Sequence, residues 1–213
     1  MLGGQQMKKN PWKYLSATLG ILLAITIGLW QTAERDVHAR IERDLAFERA
    51  QLELKLSKWI YDRSERISRT TCEEIAREAM KTKNPALTVA IMEIESIKFT
   101  PGALSTIRGA PGAMGWMQVR WEVHSEALVK AGIAREKRDL WDTPINIRSG
   151  AFIFEDNLKA SKGDVSKALS AYLGGQDGVY LLRILSNFAS LSVKESQPKE
   201  GKPNVLLPIE KRS

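Results

Sequence analysis

Between Lys13 and Glu34 the chain runs for twenty residues without a charged side chain. Few features limit a fold so strongly, because at about 1.5 Å of rise per residue a helix of that length spans about 30 Å, the thickness of a bilayer's hydrocarbon core. The centre of the run, Leu15 to Trp30, is rich in Leu, Ile and Ala. Tyr14 and Trp30 stand at its ends, where aromatic rings favour the headgroup layer. Lys8, Lys9 and Lys13 precede it with no acid among them. The expectation is a basic segment over 1–13 and a single-pass transmembrane anchor over 14–33, in contact with the lipid bilayer. The positive-inside rule puts the N terminus in the cytoplasm and the rest beyond the inner membrane. A cleaved signal peptide has the same order of charge and apolar run. Gln31-Thr32-Ala33, however, places glutamine where a cleavage site prefers a small residue, and no lipoprotein-type cysteine follows.

From Glu34 to Asp62 the chain is charged and free of Gly and Pro, with Val37, Ile41, Leu45, Leu52, Leu56 and Trp59 recurring at three- and four-residue steps. This spacing predicts one long amphipathic helix. Over 34–63 it would form a stalk, a short coiled coil, or a helix laid against the domain that follows. Glu48 stands where a seam residue is wanted, which weakens the coiled-coil option.

Helix punctuation then repeats with little strand alternation, and the fold class expected for 64–191 is all-α. Thr70-Thr71 read as an N-cap before the acids Glu73 and Glu74. Asn84 and Pro85 form a cap and first-turn pair opening a helix to Ser96 that is apolar almost all round, as an interior helix is. A Gly- and Pro-rich loop follows over 100–115. Further helices are expected over 117–131, 144–161, from Asp164 to Tyr172, and from Asp177 or Gly178 to Ser190. The proline-bearing tail, 192–213, reads as an extended or loose segment. The lone Cys72 excludes an internal disulfide and reads as a small core residue. His124 has no metal-spaced partner, so no metal site is expected. A net charge of +7 favours polyanions without choosing among nucleic acid, anionic lipid and cell-wall polymer. No nucleic-acid motif accompanies it.

The chemically unusual residue is Glu95, at the end of the most apolar helix. It shares a stripe with Ile91 and Leu87. A carboxyl group in an apolar setting, at the negative end of a helix dipole, favours its neutral form and suits a general acid. Glu93, two positions away, is expected on the opposite face, in solvent.

Four motifs in order carry a resemblance: Glu95-Ser96, then Gly112-Ala113-Met114-Gly115-Trp116-Met117-Gln118, then Asn146-Ile147 with Gly150, then Ala171-Tyr172-Leu173-Gly174-Gly175. Over roughly residues 68–188 the chain resembles the lytic transglycosylase SLT family, with its E-S pair, G-A-M-G-L-M-Q-like loop and A-Y-N-A-G-like segment. The resemblance implies a lysozyme-like α-helical domain that cleaves the β-1,4 bond between N-acetylmuramic acid and N-acetylglucosamine, with peptidoglycan strands as partner. It implies Glu95 as the single catalytic acid, Ser96, Met117 and Gln118 as cleft residues, and Tyr172 as the tyrosine whose hydroxyl holds the catalytic carboxyl. Trp116 replaces the usual Leu and could stack on a sugar ring. Leu173 replaces the usual Asn.

The residues agree with a mechanism using one carboxyl. Two-carboxylate glycosidases need a second acid across the scissile bond, and no Asp or Glu lies between Ser96 and Arg120. Glu95 would protonate the leaving oxygen, then take the proton of the muramic acid C6 hydroxyl, closing a 1,6-anhydro ring with no cofactor. A hydrolytic muramidase on the same fold, or an inactive glycan-binding anchor, are the alternatives. Wall remodelling, channel assembly or phage entry, each with its own envelope or virion assembly partners, are the settings such an enzyme could serve.

Overall fold

A computed structural model describes residues 11–64, 66–100, 112–175 and 177–193, with side chains from Thr26 onward. The N-terminal segment through Asn10, most of the Gly-rich loop and the tail from Lys194 lie outside the described residues. The chain divides into two units, Met1–Leu52 and Glu53–Ser213.

In the first unit the described residues belong to helix α1 (Pro11–Arg63), which also enters the second unit. From Thr26 to Gln51 every side chain is exposed, including Val37, Ile41 and Leu45 of the expected amphipathic stripe. No helix among the described residues is long and apolar enough to cross a membrane. The anticipated anchor over 14–33 has a helical backbone, and its side chains before Thr26 lie outside the described residues.

The second unit begins earlier than the boundary expected at Ser64, because the last turns of α1 are part of its core. Leu56 and Ile60 are fully buried. Lys55 Nζ donates to the carbonyls of Leu191 and Val193 at 2.9 and 2.5 Å, closing the C-terminal end of the last helix, where a cation suits the helix dipole. Helix α2 (Arg69–Ala79) opens two to three residues before the expected Thr70-Thr71 cap: Ser68 is its N-cap, accepting from the Thr71 N–H. Cys72 is buried in it. Helix α3 (Pro85–Glu95) opens as read, with Asn84 Oδ1 accepting from the Leu87 N–H. Every residue of α3 from Ala86 to Glu95 is buried.

Two features depart from the sequence reading. The helix expected from Met117 begins only at Trp121 (α4, Trp121–Lys130). Before it stands a short antiparallel hairpin, β1 (Ala113–Met114) against β2 (Val119–Arg120), with Ala113 opposite Arg120 and Met114 opposite Val119. A 3-10 helix over Lys137–Trp141 then leads to α5 (Thr143–Ala160), capped by Asp142. Helix α6 (Val165–Leu173) is capped by Asp164, and α7 (Gly178–Ser192) by Asp177. The described part of the unit is otherwise helical, as expected.

Candidate active site

Glu95 is the last residue of α3 and is 8% exposed. The chain leaves it through an unusual turn. Ile97, Lys98 and Phe99 all have left-handed backbone angles, φ 49°, 58° and 54°, in a region costing non-glycine residues about 1–2 kcal/mol each. Ser96 holds that turn together. Its Oγ donates to the Met92 carbonyl at 2.6 Å and accepts from the Phe99 N–H at 3.1 Å. At 1% exposure its side chain builds the turn behind the acid rather than a cleft wall.

The hairpin opposite is organised by Asn146 of α5. Its Oδ1 accepts from the Met117 N–H at 2.9 Å, and its Nδ2 donates to the carbonyls of Met114 and Leu140 at 2.9 and 3.0 Å. Gly115 is glycine for two reasons: φ is +70°, and a Cβ there would fall 2.1 Å from Asn146 Nδ2. Gly150, one turn along α5, receives Met117, whose Cβ would lie 2.4 Å from any side chain at that position. Met117 is therefore fully buried. The separated Gly115, Met117, Asn146 and Gly150 of the sequence motifs are one packed joint. Gln118 is half-buried with φ 48°, its Nε2 donating to the Gly115 carbonyl at 2.8 Å. Trp116 is 6% exposed, with its indole N–H on Thr143 Oγ1 at 3.1 Å. That burial corrects the expectation of an open stacking surface, since the ring packs inside the domain.

The two tyrosines near the acid divide their work differently from what the resemblance implies. The Tyr172 hydroxyl donates to the Met117 carbonyl at 2.7 Å, tying α6 to the hairpin. The hydroxyl donated to Glu95 Oε1 belongs to Tyr180, in the first turn of α7. Tyr172 remains a neighbour of the acid: burial of its hydroxyl, and secondarily the Glu95 charge, push it well above the usual tyrosine value. Sequence reasoning passed over Tyr180. The available signal was an aromatic just after the Asp177 cap, on one face with Ile184 and Leu191, both of which are buried.

Glu93 is the clearest correction. It is 7% exposed, not solvated. Its Oε2 accepts from the Trp59 indole at 2.9 Å and its Oε1 pairs with Arg63 Nε at 3.2 Å. The Arg63 guanidinium also lies 3.1 Å from the centroid of the Trp59 ring. The end of α1 thus covers the face of α3 opposite Glu95. Burial, and then the charge of Arg120, hold His124 below its usual value. Among the described residues no group of three or more His, Cys, Asp or Glu is placed to hold a metal ion.

The site so built can hold one carboxyl away from bulk water, with a hydroxyl donor on one oxygen and a rigid hairpin nearby. No curated protein and no solved structure matches the chain. The family model described as the transglycosylase SLT domain matches residues 74–180, half of the chain. That span holds Glu95, the Asn146-braced hairpin and both tyrosines, and the chain belongs to the transglycosylase SLT domain family.

Proposed function

We propose that this chain is a membrane-anchored lytic transglycosylase that cleaves the N-acetylmuramic acid to N-acetylglucosamine bond of peptidoglycan and leaves a 1,6-anhydro-muramic acid end. The observation that carries the reading is Glu95, a buried carboxyl at the end of α3 receiving the Tyr180 hydroxyl. The absence of Asp and Glu between Ser96 and Arg120 supports it.

Glu95 protonates the glycosidic oxygen as positive charge grows at the muramic acid C1, where the substrate's own N-acetyl group can stabilise it. The resulting carboxylate then takes the C6 hydroxyl proton as that oxygen closes on C1. Exclusion of water favours ring closure over hydrolysis. Gln118 and the exposed edge of Tyr172 border the glycan, while Ser96, Met117 and Trp116 support the walls from behind. The anchor over 14–33 rests on the uncharged run and its basic flank, and places residues beyond Glu34 in the periplasm. Its check is extraction of the full-length protein with carbonate: retention in the membrane pellet supports the anchor, and release argues against it. For the chemistry, the test is mass spectrometry of muropeptides released from purified sacculi. Anhydro ends support the proposal, and reducing ends favour a muramidase.

A further inference from the structure

We propose that the groove between α3 and α7 binds the peptide stem of the glycan strand, with Arg183 holding the carboxylate of its terminal alanine. The inference rests on the functional reading above in taking peptidoglycan as the substrate, and the site lies apart from the side chains assigned to the chemistry.

The groove encloses about 290 Å³. Ile94 of α3 and Val179 and Leu182 of α7 give it an apolar strip. Val179 and Leu182 stand three residues apart on one face of the helix and are 67% and 68% exposed, so the strip is open to a ligand. Arg183, Ser186 and Asn187 continue the wall with polar groups. Among the described residues no hydrogen bond or ion pair engages these three side chains. Glu93 also borders the groove, but its carboxylate is already met by Arg63 and by the Trp59 indole. The charge left to act on a ligand is therefore that of Arg183, and it selects an anion. A guanidinium fork matches a carboxylate in bidentate geometry, and the serine hydroxyl and asparagine amide suit a peptide group. The ligand that satisfies all of this is a peptide end with a free carboxylate and a small aliphatic side chain. Peptidoglycan stems that end in D-alanine have that chemistry.

The groove begins beside the acid on both helices. Ile94 precedes Glu95, and Val179 precedes Tyr180, whose hydroxyl bonds Glu95. Arg183 follows Tyr180 by three residues, about 4.5 Å along the helix axis. The stem hangs from the lactyl group of the muramic acid, and four extended residues reach about 13 Å. A stem of that length can lay its end in the groove while its own sugar sits at Glu95. Binding there adds affinity for peptide-bearing strands without touching the reacting atoms, so it acts on KM and leaves kcat unchanged.

The test has two readouts on the full-length chain in mild detergent. Ligand-observed NMR follows binding of the tetrapeptide L-alanyl-γ-D-glutamyl-diaminopimelyl-D-alanine and of the same peptide ending in a carboxamide. The carboxylate form should bind about 10-fold more tightly, and Arg183→Gln should abolish the difference. Cleavage is then compared on peptide-bearing strands and on strands stripped by an amidase. Arg183→Gln should raise KM about 10-fold on the first, with kcat unchanged, and have no effect on the second. Leu182→Asp, which sets a carboxylate against that of the ligand, should act in the same way, and both positions are exposed, so neither change disturbs the core. Equal binding of the two peptides, or wild-type peptide affinity in both variants, overturns the proposal. A changed sedimentation of Leu182→Asp with unchanged peptide binding gives the groove to a second copy of the chain and overturns it as well. Equal KM of the wild type on both kinds of strand overturns the site and leaves the transglycosylase reading standing. Carboxylate-dependent peptide binding by a wild type that releases no anhydro ends supports the site and refutes that reading.

Discussion

Replacing Asn146 by alanine should remove the joint that shapes the hairpin. Asn146 is 1% exposed and makes three bonds to main-chain groups, one accepted from the Met117 N–H and two donated to the carbonyls of Met114 and Leu140. Truncation leaves one buried donor and two buried acceptors without their partner. An unmet buried group costs about 1–3 kcal/mol, with donors towards the upper end and carbonyls, which have a second lone pair, towards the lower. The sum is about 3–5 kcal/mol, a large fraction of the roughly 5–15 kcal/mol that holds a domain together. Urea unfolding followed by tryptophan fluorescence is the assay, since Trp116 sits within the hairpin. The midpoint should fall with an unchanged slope. Asn146→Asp adds a signature. It keeps the acceptor for Met117 but turns a charge toward two carbonyls, so its folded pKa rises above the unfolded value of about 3.9. A raised pKa contributes stability below the unfolded value and loses it as pH rises through the folded one, so this variant should recover stability on acidification. A cost below about 1 kcal/mol for Asn146→Ala, with activity retained, would refute the idea that this side chain organises the site.

Arg63→Ala should destabilise the second unit by about 1–2 kcal/mol, discounted for the partial exposure of Arg63, because it strips a buried carboxylate of its ion pair and Trp59 of its cation. Arg69→Ala, at an exposed pair with Glu73, should leave the unfolding midpoint within error. Among the described residues Ser149 Oγ is buried with no hydrogen-bond partner, so Ser149→Ala should be neutral or stabilising by up to about 1 kcal/mol in urea unfolding, and a clear loss of stability would contradict this. The raised pKa of Tyr172 contributes stability that is complete below the unfolded value of about 10 and is lost as pH rises toward the folded one. Alkaline unfolding measured above pH 10 should accordingly be less steep in Tyr172→Phe.

Local signals were legible and distant ones were not. Asn84-Pro85, Asp164 and Asp177 announce their helices because a cap bonds to backbone two or three residues away. The apolar character of α3 likewise exposes Glu95 as a misplaced carboxyl. The hairpin before α4 has no signature in the sequence because its conformation is imposed by Asn146 from another helix and by a left-handed Gln118, neither of which leaves a periodic trace. Helical geometry correctly places Glu93 opposite Glu95, but it says nothing of whether that face is exposed, and Glu93 is buried. What covers that opposite face is the end of α1, and single-helix periodicity cannot report a neighbour. The exchange of roles between Tyr172 and Tyr180 has the same origin. The resemblance located the tyrosine of the A-Y segment, whereas the distance to Glu95 depends on how α7 packs against α3.

In the proposed reaction a single carboxyl, Glu95, carries both proton transfers. The direct measurement is release of anhydro-muropeptides from purified sacculi by the wild-type chain and by Glu95→Gln, which keeps shape and can still accept from Tyr180 but cannot exchange the proton. Release should fall by at least about 10²-fold with glycan binding preserved. Normal release of anhydro products by Glu95→Gln would contradict a single-carboxyl mechanism.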